Sequence, residues 1–313
     1  MREIGGYIEL DTYNGVMLHN DGLKLNCGRN ALAHLIKLHN ISVLWMPKYM
    51  CDSCDNILDM ANVTVKYYHI DMKFKPIDII RKTDEWIYIV NFYAQLDNEY
   101  ISQFGENIIV DNSQAYFQEP LSNIDTIYTC RKFFGVPDGA IVYESLKSNN
   151  QYVQDVSYDK MEFLLGRFEK NANKFYSAYV NNNKRFENEP IKSMSKLTRN
   201  LLNVLDYTNI ENKRSKNFDF VNEKLKAYNK LVVKCPKGPF MYPLYVNNGK
   251  IIKKKLIQKK IYIPTLWPAV FERCEKDELE YDMAENILPL PVDQRYNEDD
   301  MTYMISEVIK CID

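Results

Sequence analysis

Along the first half of the chain, short apolar runs alternate with stretches whose apolar positions recur every three or four residues. The runs Val43-Leu44-Trp45-Met46, Val63 to Tyr68, Trp86 to Val90, Ile108-Ile109-Val110, Thr126-Ile127-Tyr128 and Ala140 to Tyr143 predict strands. Most of them are apolar at consecutive positions, as strands buried on both faces are. Asn30 to His39 and Ser53 to Met60 predict helices between them. Such alternation predicts an α/β fold, a mostly parallel sheet between helices, with ligands beyond the carboxyl ends of the strands. From about Ser145 to Lys230 the chain turns polar and Asn- and Lys-rich, with Met161, Leu164, Leu165 and Phe168 at helical spacing, and predicts linking helices. The last third predicts short strands (Met241 to Val246, Lys260 to Pro264) and a closing helix from Asp299 to Ile312. The expected division is a large unit over residues 1–210, linking helices included, and a small α+β unit over 211–313.

Composition narrows the function more than the fold. With 40 Lys and Arg against 42 Asp and Glu, and a pI near 6.2, no global positive field gathers nucleic acid or anionic lipid, so an anion needs a local site. The apolar runs are too short to cross a bilayer and Met1 to Gly6 is not the apolar stretch of a secretory signal; a cytoplasmic location is expected. The seven cysteines are scattered apart from Cys51 and Cys54, and the four histidines form no ligand cluster, so free thiols and no metal are expected.

Three segments carry chemistry. In Leu23 to Leu32 an alternating run meets Gly28 and then a helical pattern; glycine lets main-chain amides approach an anion, and Arg29 adds a cation. In Asn107 to Phe117 a buried run leads straight into Asp111, a carboxylate placed where such folds hold ligands and costly to bury unless a cation answers it. In Thr126 to Ile141 a strand ends at Lys132, among aromatics and beside Arg131, which would favour a partly desolvated, nucleophilic amine. Each has a plainer reading: a strand-to-helix turn, a strand-ending Asp that caps a turn, a surface Lys-Arg pair.

Their order is more informative than any one of them. A glycine loop near the amino terminus, then Asp111 with Gln114 three residues on, then Lys132 twenty-one positions later (132 − 111), resembles the type I fold of pyridoxal-phosphate enzymes. More narrowly it resembles the sugar aminotransferases of the DegT/DnrJ/EryC/StrS group. Leu288-Pro289-Leu290-Pro291-Val292-Asp293 before an acidic helix start at Glu298, Asp299 and Asp300 is similar to that family's closing segment. The chain departs from the pattern in a compressed aspartate-to-lysine interval and in Arg29 and Asn30, which stand where the family has small residues.

The resemblance implies pyridoxal 5'-phosphate as cofactor, with Lys132 forming the Schiff base and moving the proton. It implies that Asp111 pairs with the pyridine nitrogen, Gln114 bonds the ring hydroxyl, and Gly28, Arg29, Asn30 and Thr129 hold the phosphate. In Pro47-Lys48-Tyr49-Met50-Cys51, Tyr49 is the choice for the residue stacked on the ring, although strict spacing favours Cys51. Tyr93, following a strand, is the candidate for substrate contact. The implied reaction moves an amino group, from glutamate by analogy, to a keto-sugar or similar carbonyl, nucleotide-linked in some members, in polysaccharide biosynthesis, in a homodimer with no nucleic-acid or membrane partner. The same residues would serve a lyase, dehydratase or epimerase, or a binding homologue without catalysis. The run Lys250 to Lys260 pairs apolar residues with cations at helical spacing, reading as a solvated helix or a contact for a diphosphate.

Overall fold

The computed structural model of the chain describes residues 4–312. Strand β1 (Leu23–Leu25) leads into helix α1 (Gly28–His39), followed by β2 (Val43–Pro47), α2 (Asp55–Met60), β3 (Thr64–Ile70), β4 (Pro76–Ile77), β5 (Trp86–Val90), α3 (Asn98–Ser102), β6 (Ile108–Asp111), β7 (Asp125–Thr129) and β8 (Ala140–Tyr143). Helices α4 (Glu162–Glu169), α5 (Tyr176–Lys184), α6 (Lys196–Asn203) and α7 (Tyr207–Leu225) come next. Then follow β9 (Met241–Tyr245), α8 (Gly249–Gln258), α9 (Val270–Arg273), α10 (Leu279–Asn286), β10 (Ile287–Pro291) and α11 (Glu298–Ile312).

Eight strands form one mixed sheet in the order β1-β8-β7-β6-β5-β2-β3-β4. The central pairs β3/β2, β2/β5, β5/β6 and β6/β7 are parallel, while β8 runs antiparallel to both β7 and β1. The fully apolar runs of β5 and β6 lie in the middle, buried on both faces, as their sequences demand. Helix α1 packs Ala31, Leu32, Leu35 and Ile36 inward and ends at Asn40, whose left-handed conformation (φ 50°) returns an N–H to the Ile36 carbonyl. Because β1, β2, β5, β6 and β7 are mutually parallel, their carboxyl ends open along one edge of the sheet.

The second sheet pairs β9 with β10 antiparallel, Leu244 opposite Leu288 and Tyr242 opposite Leu290. It builds its own core with Phe218, Val221 and Leu225 of α7, Ile252 and Leu256 of α8, and Met301, Met304 and Val308 of α11.

One expectation fails locally. Lys260 to Pro264 is not a strand: Lys260 turns left-handed (φ 62°), the Ile261 N–H closes the end of α8 on Leu256, and Ile261 and Ile263 bury alternately with no ladder beside them. Helix α4 forms, yet none of its residues is buried, and Phe168 is 90% exposed. Periodicity reported the helix but not a surface to receive it. The Lys250 to Lys260 run is the solvated helix α8, with Ile252 and Leu256 inward and Lys250 paired to Glu285 at 2.9 Å.

Candidate functional site

The carboxyl edge gathers the ends of β1, β6 and β7. Asp111 closes β6, in register with Ile127 of β7, so the turn at 130–132 lies just beyond it along the neighbouring strand. The Asp111 carboxylate is 7% exposed and accepts two hydrogen bonds, from the Tyr88 hydroxyl at 2.9 Å and from the Ser113 main-chain N–H at 2.7 Å. Burial, and then the Asp111 charge, push the Tyr88 phenol well above its ordinary range, so it stays a donor. Gln114 is buried beside them, its side-chain oxygen accepting from the Tyr93 N–H at 2.8 Å. The donor end of that amide is therefore the one left for another partner.

Across the sheet, Gly28 opens α1 directly against Thr129 at the end of β7. A Cβ on Gly28 would stand 2.7 Å from the Thr129 methyl, so only glycine permits this approach. The helix start has no side-chain cap and no acidic residue in its first turn. Three guanidinium nitrogens, Arg29 Nη1, Arg131 Nε and Arg185 Nη2, are buried with no hydrogen-bond partner among the described residues. Arg131 and Arg185 both lie over the Phe186 ring, at 4.9 and 4.1 Å from its centroid. Arg185 is answered by Asp155 at 3.0 Å and Glu189 at 3.2 Å, whereas Arg131 bonds only the Asn183 side chain. Burial first, with the Arg185 and Arg29 charges in the same direction, lowers Arg131 below the usual arginine range. A buried cation in such a place, without a carboxylate, is what an anion site requires.

The remaining residues fall out differently from their sequence expectations. Lys132 is exposed rather than desolvated: it ends the short 3-10 turn Cys130–Lys132, and its Nζ lies 5.9 Å from the Phe240 ring centroid. The desolvation expected there falls on its neighbour Arg131. Tyr49 is turned into the core, 1% exposed, its ring 4.4 Å from that of Trp267. Cys51, the residue that strict spacing favours, is half-buried, with its Sγ 2.9 Å from the Ser53 hydroxyl. Tyr93 does not face an open crevice; left-handed (φ 52°) and 1% exposed, it packs on Phe74 and Trp267, and its contribution is the N–H that fixes Gln114. The Asn30 side chain is spent on Asn26 and the Pro190 carbonyl, both at 2.9 Å, leaving its main chain at the helix start.

Sequence reasoning overlooked Tyr88, Arg131 and Arg185. Arg131 was in view as a neighbour of Lys132 but not as a site residue; Arg185 had no local signal, since it reaches the corner from the far end of α5. A concavity of about 750 Å³ between α1, α2 and residues 186–191 takes in neither Asp111 nor Lys132. All seven cysteines are free. The described residues include one metal-capable trio, His69, Glu278 and Glu280, in which His69 bonds Glu280 at 3.0 Å and Glu278 pairs with Lys48 at 2.7 Å. No described helix is long and apolar enough to cross a membrane.

No family model and no curated protein matches the sequence. Solved structures do match, at low identity over nearly the whole chain. A putative sugar aminotransferase, Spr1654 from Streptococcus pneumoniae in its PMP form, superposes with a TM-score of 0.68 at 12% identity, over 92% of this chain and 87% of that one. The sugar aminotransferase CalS13 from Micromonospora echinospora gives 0.64 at 12%, over 92% and 86%. DesV from S. venezuelae, in complex with a ketimine intermediate, gives 0.64 at 14%, over 92% and 84%. A DegT DnrJ EryC1 StrS aminotransferase from Brucella abortus is among the neighbours too. The chain has the fold of these enzymes, the PLP-transferase fold.

Proposed function

We propose that this chain is a pyridoxal-phosphate-dependent aminotransferase that passes an amino group, from glutamate, to a keto-sugar or similar carbonyl. The observation that carries the reading is the buried Asp111 carboxylate, held by two donors at the carboxyl end of β6, on a fold shared with sugar aminotransferases. The residues suit the cofactor at both ends. Asp111 has lone pairs left for a protonated ring nitrogen. Gly28, Thr129, Arg29 and Arg131 supply a glycine cradle and unanswered guanidinium donors for a phosphate.

When bound, the cofactor supplies an electron sink for the carbon that loses its proton. The chain's own residues do the rest. Asp111 keeps the ring nitrogen protonated, Gln114 orients the ring through its hydroxyl, Cys51 lies against one face, and Lys132 supplies the amine and carries the proton at its Nζ. The cofactor-binding unit is assigned to residues 1–210 and the small unit to 211–313, with the active form a homodimer and the acceptor a keto-sugar or similar carbonyl of polysaccharide synthesis.

Purified protein given the cofactor should absorb in the visible, and borohydride should fix that cofactor to the peptide carrying Lys132. Lys132→Ala should abolish turnover and the fixed adduct together. Glutamate should bleach the wild-type band stoichiometrically, which a lyase or epimerase would not do. An adduct on another lysine, or none, ends the assignment.

A further inference from the structure

Arg214 of α7 is 1% exposed and among the largest fully buried side chains. A guanidinium in that position has to have its donors answered. Among the described residues no carboxylate pairs with it; Asp293, whose charge acts on it, is engaged by Arg295 at 2.6 and 2.8 Å. Carbonyl and amide oxygens answer it instead. Nη2 donates to the Phe133 carbonyl at 3.1 Å, Nη1 to the Pro239 carbonyl at 2.8 Å and the Phe240 carbonyl at 3.4 Å, and Nε to the Gln294 side-chain oxygen at 2.7 Å. The guanidinium also lies 4.6 Å from the Phe133 ring centroid.

We propose that Arg214 is a positioning residue for Lys132, acting with Gln294 as a clasp on the residue that follows it; this rests on the reading of Lys132 as the Schiff-base amine. The Phe133 carbonyl receives two donors, Arg214 and, at 2.9 Å, the Gln294 side-chain NH2. The Phe133 N–H donates to the Cys130 carbonyl at 3.1 Å, so both polar ends of this residue are fixed. Lys132 directly precedes this doubly anchored residue. The same guanidinium holds the main chain of Phe240, whose ring is the one over which the Lys132 amine lies. One buried cation thus fixes both the residue that follows Lys132 and the main chain of the residue whose ring lies beside its tip.

The geometry separates this role from general support of the fold. The hydrogen bonds of the clasp go to Phe133, Pro239 and Phe240, and none goes to Asp111, Gln114, Gly28 or Thr129. An exposed lysine has many rotamers, and a displacement of about 1 Å at a reacting group costs on the order of a hundredfold in rate. Loosening the clasp should therefore slow the capture of the cofactor by Lys132 while leaving the affinity of the corner that holds ring and phosphate intact.

The experiment is a pair of backgrounds. Gln294→Leu, which keeps Arg214, and Arg214→Lys, which keeps the charge but cannot reach three carbonyl groups at once, are made in the wild-type protein and in Lys132→Ala. In the wild-type background the rate of borohydride-trapped adduct on Lys132 is read, with the pH midpoint of the visible band. In the Lys132→Ala background the non-covalent dissociation constant of the cofactor is read, and thermal melting accompanies both. Expected is a fall in trapping rate of about tenfold or more for Gln294→Leu, larger for Arg214→Lys, with the non-covalent constant within about twofold. Loss of affinity in parallel with trapping, or an unchanged trapping rate and pH midpoint, overturns the proposal and makes the clasp a support of the fold. A wild-type protein that traps nothing on Lys132 overturns the reading of the site itself, and does so before any clasp variant is compared.

Discussion

The Asp111 corner and the Lys132 turn lie on neighbouring strands at the same edge of the sheet, and they are held in opposite ways. Asp111 is closed in by the sheet that carries it: Tyr88 from the adjacent strand and Ser113 two residues on satisfy it, and both are buried or nearly so. The Lys132 turn projects beyond its strand, exposed, and its restraints come from remote sequence. Arg214 reaches it across 81 positions and Gln294 across 161. At the far end of the same connection, Asp138 is fully buried and accepts from the Ser195 N–H at 2.8 Å, the Ser195 hydroxyl at 2.7 Å and the Thr198 hydroxyl. A binding corner can be rigid because it only has to wait for its ligand. Under the proposed function, an amine that must reach a ligand gains from an exposed tip on a fixed base, and Lys132 has an exposed tip.

The largest break of this comparison is Asp138→Ala. It would leave buried donors of Ser195 and Thr198 unanswered and strip the amino-terminal cap of α6 of its anchor, since Ser195 caps that helix through the Thr198 N–H. Three bonds to one buried carboxylate put the expected loss at about 3 kcal/mol of stability. Chemical denaturation measures it directly, and a loss under about 1 kcal/mol would show that the turn is held by Arg214 and Gln294 alone.

The same contrast explains what was legible in the sequence. The strands, α1 and the closing helix announced themselves through runs and periodicity, and Asp111 through a buried run that ends in a charge. Gly28 was legible as a turn, although its reason, the approach of Thr129, was not. The surroundings of Tyr49 were not legible because a ring after a strand reads the same whether it faces a ligand or Trp267. Those of Tyr93 were hidden for the same reason. Exposure of Lys132 and half-burial of Arg131 are tertiary facts: adjacent residues of a 3-10 turn point to different surroundings, and no local pattern tells which of two cations is covered by Phe186.

Arg131→Met sharpens the comparison from the binding side. It keeps an unbranched apolar stem while removing the guanidinium that lies over Phe186, so the fold should survive. A charged hydrogen bond contributes about 1.5–3 kcal/mol, hence a cofactor dissociation constant weaker by roughly 10- to 100-fold. Inorganic phosphate should raise the melting temperature of the wild type and fail to raise that of the variant. Affinity within about twofold of wild type would place the phosphate away from Arg131.

Tyr88→Phe is the gentlest probe, and its pH dependence identifies its cause. The change deletes one hydroxyl from a packed ring, so at pH 7 the expected cost is about 1 kcal/mol, the net value of a buried hydrogen bond. Burial, and next the Asp111 charge, raise the Tyr88 phenol above its unfolded value. A group raised in this way contributes its full stability below the unfolded tyrosine pKa of about 10 and loses it as pH climbs further, because the unfolded chain ionises and the folded one does not. The deficit of the variant should hold constant to about pH 10 and then shrink by up to about 1.4 kcal/mol per pH unit, as the wild type alone becomes less stable. Paired denaturation curves at pH 7, 9 and 11 read this out. A deficit that does not change across the series would mean that the Tyr88 hydroxyl already ionises at its ordinary pH in the folded chain, and that the Asp111 corner is far less closed than its burial indicates.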